Sequence, residues 1–145
     1  MKRKVLLIGI MIMFVLSYSQ VPADKTVQQI LMSKTWHFGD TPKVGMRFVF
    51  THDSMEFYVV GAYGYDNFKG KIPYYLSDTK DSFFDYSKVD KDENGLYLIE
   101  KSSAPTRDKP KAHWLKILEI DDKHIKFEGI DNRNERKILI YTAVK

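Results

Sequence analysis

Asp90, Asp92, Asn94 and Gly95 stand in the order D-x-D-x-N-G, which places oxygen donors at alternate positions ahead of a glycine. A calcium loop opens in this way, because alternate side chains of a tightly curved segment point at one ion and glycine permits the sharp turn. The twelfth position of such a loop supplies a bidentate Glu; here it is Lys101, with Glu100 one place short. Asp and Asn also cap turns and Gly accepts positive φ, so the same residues make an ordinary turn between strands. The missing Glu favours the turn over calcium.

His37, His52, His113 and His124 are the other candidate ligands, since neutral imidazoles bind zinc or copper. They stand singly, without the close spacing of a metal site, and His124 beside Asp122 is the nearest to a pair. Surface or turn histidines are the simpler reading, so no metal and no cofactor is expected. A hydrolase needs a nucleophile with an oriented base, or paired carboxylates in a cleft. The chain has no G-x-S-x-G elbow and no H-E-x-x-H helix, and its acidic residues fall mostly in turns. Gly61, Gly64 and Gly70 surround Tyr63, Tyr65 and Phe68, but no strand-to-helix phosphate loop follows them. No catalytic residues are nominated, and the chain is not expected to be an enzyme.

The residues that remain as binding candidates are aromatic, and the elements that position them follow from composition. Aromatic residues are 14% of the chain, and they recur within short β-branched segments and not at helical spacing, which is the material of a sheet protein. Cysteine is absent, which excludes disulfides, thiolate metal sites and a Cys nucleophile and leaves the core alone to hold the fold. Residues 1–19 read as an export signal: Lys2, Arg3 and Lys4 precede an apolar run broken by Gly9, and Ser17 and Ser19 precede a cut before Gln20. The alternative is a retained anchor, although the run is short for a bilayer span and nothing after it offers a second crossing. Cleavage would remove three of the charges behind the net +4 and leave residues 20–145 near neutrality, as one domain. A near-neutral surface argues against nucleic acid as a partner. Periplasmic or secreted localisation is expected, with no membrane span after cleavage.

Thr26 can cap a short helix in which Val27, Ile30 and Leu31 form one apolar stripe. From residue 35 the period becomes two. Strands are predicted at residues 35–38, 44–51, 55–60, 72–77, 82–88, 96–101, 113–120, 124–130 and 136–144, joined by connections too short for crossover helices. Met46, Phe48 and Phe50, and then Met55, Phe57 and Val59, alternate with the opposite set and should face inward. About eight or nine serial antiparallel strands leave exposed edges unless the sheet closes. The expected fold is therefore all-β: a small antiparallel up-and-down β-barrel of about eight strands with a short N-terminal helix.

In such a barrel Trp36, Phe48, Phe50, Phe57 and Phe127 could line a pocket, although eight strands enclose only enough space for side chains of this size. Any cavity should be small and near one end. Residues 61–71 form the most suggestive loop, where glycines surround Tyr63, Tyr65 and Phe68. If connections alternate between ends, this loop shares a rim with residues 39–43 and 91–95, opposite the helix. The other possibility is that the loop tucks its aromatics onto the barrel as a satellite cluster.

Leu31, Ser33 and Trp36 after the short helix, then Ile117, Ile120, Ile125 and Phe127 about an Asp121-Asp122 turn and a last strand carrying Tyr141, form two connected patterns. Together they resemble the lipocalin-like β-barrels exported by Bacteroidota. The resemblance spans nearly all of residues 20–145 and implies an enclosed cavity for a small apolar molecule. The expected function is binding of a small apolar or amphipathic ligand without chemical change. The alternative is a protein interaction module, such as an inhibitor, immunity factor or envelope-complex subunit, using the rim aromatics as anchors.

Overall fold

A computed structural model describes residues 22, 24–61, 66–104, 108–131 and 133–144. The predicted leader at residues 1–19, and Tyr63 and Tyr65 of the predicted loop, lie outside the described residues.

Thr26 and Gln29 form a reciprocal cap: the Gln29 amide donates to Thr26 Oγ1 (3.2 Å) and the Thr26 amide donates to Gln29 Oε1 (3.0 Å). The helix α1 that follows, Val27–Met32, has six residues and is too short to hold in isolation. It is held by what it touches. Its free N-terminal amides are taken by the D-x-D-x-N-G turn: Val27 N donates to Asn94 Oδ1 (3.0 Å) and Gln28 N to the Glu93 carbonyl (2.9 Å). Asp90 there takes a left-handed backbone (φ 57°), which Asp tolerates. Ile30 and Leu31 are fully buried against the barrel core.

Eight antiparallel strands follow: β1 (Thr35–Thr41), β2 (Val44–Phe50), β3 (Ser54–Val60), β4 (Asp66–Ser77), β5 (Tyr97–Lys101), β6 (Ala112–Ile120), β7 (His124–Ile130) and β8 (Arg136–Val144). Each pairs with the next in sequence and β8 pairs with β1, so the sheet is a closed up-and-down barrel. Phe48, Phe50 and Met55 are buried in the core as expected, with Met46 and Phe57 packed against it, but the alternation breaks at the end of β3, where Val59, expected to face inward, is exposed and Val60, expected to face outward, is buried. Where the register slips between Ile117 and Glu119, the bulge lets Ile117 and Ile120, an odd spacing apart, both enter the core. Trp36, Leu98, Ile125 and Phe127 are fully buried beside them. No helix among the described residues is long and apolar enough to cross a membrane.

Three further sequence expectations are corrected. Residues 82–88 are not a strand: Phe83 makes one isolated bridge to Lys111, and Tyr86–Lys88 is a short 3₁₀ turn. The Asp85 carboxylate draws the chain into that turn by accepting from Ser87 N (3.0 Å) and Ser87 Oγ (2.7 Å), and Phe84 packs outside the barrel on Tyr75 and Ile99. With one strand fewer, the turn at residues 91–95 falls at the helix end and not on the opposite rim. Residues 66–71 are strand and not loop, because β4 starts at Asp66 and continues the β3 hairpin, with Phe68 opposite Tyr58.

Candidate functional site

The barrel closes through a short β1–β8 ladder of three paired positions, and β1 carries an irregularity just beyond it. Gly39 and Asp40 together oppose Gly45, since the register passes from Phe38↔Met46 to Thr41↔Val44. The backbones approach so closely in this bulge that a Cβ on Gly39 would collide with the Val44 carbonyl, and one on Gly45 with that of Phe38. Gly45 also takes φ +137°, a conformation glycine supplies. A bulge bends its strand, and this one lies just past the last position at which β1 pairs with β8. The two strands pair at residues 35–37 against 142–144, with no ladder described above that point.

The gap is a cleft of about 500 Å³ lined by Phe38, Val44 and Met46 on one side and Ile138 and Ile140 on the other, with Gly39, Asp40 and Gly45 at its upper end. Phe38 and Met46 share the inward face of Trp36 and Phe48, whereas Ile138 and Ile140 alternate with the inward Leu139 and Tyr141. Side chains from both faces of the sheet therefore line one concavity at the upper end of the β1–β8 join. Val44, Ile138 and Ile140 are half or more exposed (62%, 50% and 53%), a local concentration of apolar surface.

Tyr141 stands behind the cleft. Its ring stacks on Phe48 (4.8 Å, 7°) and meets Phe127 (5.2 Å, 74°) and Phe38 (5.5 Å, 49°). Burial, and secondarily the charge of Glu100, push its hydroxyl well above the usual phenol range, so it stays neutral. That hydroxyl has no hydrogen-bond partner among the described residues, yet it is not among the polar atoms sealed without one. Glu100, two residues along β5 from the inward Leu98, shares its face, and its side chain is 12% exposed. His113 Nδ1 lies 3.4 Å from Glu100 Oε2, and this hydrogen bond raises the imidazole above its ordinary value against the opposing effect of burial. One inward carboxylate does not make the pair that glycoside hydrolysis uses, and no three metal-ligating side chains converge among the described residues.

The nominated aromatics divide by position. Phe48 and Phe127 flank Tyr141 behind the cleft. Trp36 lies deeper, fully buried, with Nε1 donating to the Leu31 carbonyl (2.8 Å), so it joins helix to barrel. Phe50 meets Tyr74 edge-on (5.4 Å) toward the same floor, where the Tyr74 hydroxyl donates to the Thr51 carbonyl (2.7 Å). Phe57 lies over Gly70, whose missing Cβ leaves room for the ring. Phe68 is exposed and packs on Tyr58 (5.5 Å) outside the barrel. Phe38, Ile138 and Ile140 were not nominated from sequence, which weighed His113 only as a metal ligand and Glu100 only as a displaced calcium ligand. The one available signal was β8 itself, where Ile138, Leu139 and Ile140 put apolar groups on both faces.

Two other concavities lie among the described residues. A pocket of about 390 Å³ beside His37 and Arg47 lies on the outer surface of β1, β2 and β8. A shallower groove of about 650 Å³ runs along residues 80–88, where Asp81 is already engaged by Tyr75 (2.7 Å) and Lys88 (2.9 Å). Compared with protein-family models, curated proteins and solved structures, the chain matches none.

Proposed function

We propose that this chain is a non-catalytic container that admits one small apolar or amphipathic molecule through the gap between β1 and β8. The observation that carries the reading is the cleft at the β1–β8 join, apolar on both sides and bordered by Phe38, whose ring meets the Tyr141 aromatic cluster. Its volume falls within the roughly 300–1,000 Å³ of small-molecule sites. Each ligand methylene buried there contributes ~0.8 kcal/mol. Eight to ten of them give roughly 6–8 kcal/mol, which sets the dissociation constant at about micromolar or weaker once lost freedom of motion is subtracted. In this reading the predicted leader exports the chain, and the container works in the periplasm or outside the cell, as its resemblance to exported lipocalin-like barrels implies.

A protein interaction module is the second reading, and one feature favours it. The unpaired upper edges of β1 and β8 could accept an added strand of a partner. Calorimetric titration with decanol separates the two readings. Saturable binding is expected, weakened at least tenfold by Ile140→Asp, a change at an exposed position that leaves the circular dichroism spectrum intact. No saturable binding, together with no small molecule retained in native mass spectrometry of protein from its own source, would sink the container reading and leave the strand-accepting edge.

A further inference from the structure

On the outer face of the barrel a buried polar atom lacks a hydrogen-bond partner. His37 alternates with the inward Trp36 and Phe38, so its ring lies outside the sheet, yet the residue is only 8% exposed. Its Nε2 lies 2.8 Å from the Thr41 carbonyl. A carbonyl only accepts, so Nε2 carries the proton, and in the neutral ring Nδ1 is a bare acceptor. Nδ1 is sealed from water and has no partner among the described residues. An acceptor left in this condition is costly, and a group that donates to it recovers the cost.

The same ring borders the pocket of about 390 Å³ whose walls include Pro42, Arg47, Thr142 and Val144. Nε2 is turned along β1 toward the turn at residues 39–42, which leaves Nδ1 on a flank of the ring. The flanking positions are Arg47 on β2 and Thr142 on β8, each paired with His37 in its ladder, and both are walls of the pocket. These neighbours are side chains, which change rotamer as a ligand arrives. Arg47 and Asp40 bring one charge of each sign, so with a neutral imidazole the lining carries no net charge.

We propose that this pocket is a second binding site, for a compact neutral molecule that carries one N–H or O–H donor, such as a nitrogen heterocycle or a phenol. The donor meets His37 Nδ1, and the apolar body lies against Pro42 and Val144. The site shares only Gly39 and Asp40 with the β1–β8 cleft, so it stands independently of the container reading.

Indole and benzofuran test the proposal, because they have one shape and benzofuran carries an ether oxygen where indole has its N–H. In NMR titrations of the full chain, indole should bind saturably and about tenfold more tightly than benzofuran. The His37 Nδ1 resonance should shift as indole saturates. Thr142→Trp, a change at an exposed wall position, should abolish indole binding, whereas Ile140→Asp in the cleft should leave it unchanged. Benzofuran binding as tightly as indole, no saturable indole binding to the wild-type protein, or saturation with the His37 Nδ1 signal unmoved would each overturn the proposal. Indole binding retained in folded Thr142→Trp, or lost in folded Ile140→Asp, would do the same; the wild-type titrations decide alone if either variant fails to fold. Indole binding without decanol binding would remove the container reading and leave this site, and decanol binding without indole binding would do the reverse.

Discussion

His113 and Glu100 show how a single pair can be both a structural contact and part of the interior's charge. The hydrogen bond to Glu100 raises the imidazole above its ordinary value of 6.5, opposed by burial and helped by the Glu100 charge. A group whose basicity rises on folding stabilises fully below its unfolded value and loses that contribution as pH climbs through the folded one. The melting temperature of His113→Gln should therefore fall below that of the wild type at pH 5.5, and the two should converge by pH 9. A difference independent of pH would assign His113 a packing role only. Sequence singled out His113 as a lone imidazole and saw Glu100 only as a displaced calcium ligand. Their meeting requires the β5–β6 register that sets residue 100 against residue 113, a non-local pairing that no spacing along the chain displays. Tyr141, by contrast, entered through a pattern, and its importance comes from where Phe48 and Phe127 place it.

At the level of elements, the strands that could be read were those with one covered face. Residues 44–50 and 55–58 alternate because the barrel core takes every second side chain, and the alternation fails at the end of β3, where Val59 is exposed and Val60 buried. Residues 82–88 misled because Phe83 and Phe84 are adjacent apolar groups in a segment that covers the outer face of the sheet, where strand alternation is not required. Residues 66–71 misled for the opposite reason: Asn67 and Lys69 are exposed in a hairpin that leaves the core, so a strand there carries no apolar signature. The β1 bulge was hidden in the same way, since Gly39 and Gly45 read as turn residues until their backbones are seen to touch. Gly45→Ala should lower stability by roughly 1–3 kcal/mol, the range for a side chain forced into such a conformation. Chemical denaturation measures this, and a change within ~0.5 kcal/mol would show that the bulge can relax without strain.

For the whole molecule, closure is a matter of degree. A barrel joined from its first strand to its last was legible in the serial antiparallel pattern, because open edges are a liability that closure removes. The extent of that join was not legible, since β1 and β8 lie at opposite ends of the sequence and their ladder is only three positions long. The outcome is a core packed against α1 and an apolar concavity on the surface beside the upper end of the join. The central claim is that this lateral gap, and not the aromatic interior as a whole, takes the ligand. Backbone amide NMR of the ¹⁵N-labelled chain during titration with decanol tests it most directly. Saturable shifts concentrated at Phe38, Val44, Met46, Ile138, Ile140 and Tyr141, with Trp36 and Phe50 unmoved, are the predicted result. Shifts centred on the groove at residues 80–88 or on the outer pocket beside His37, or no saturable shifts at all, would contradict it.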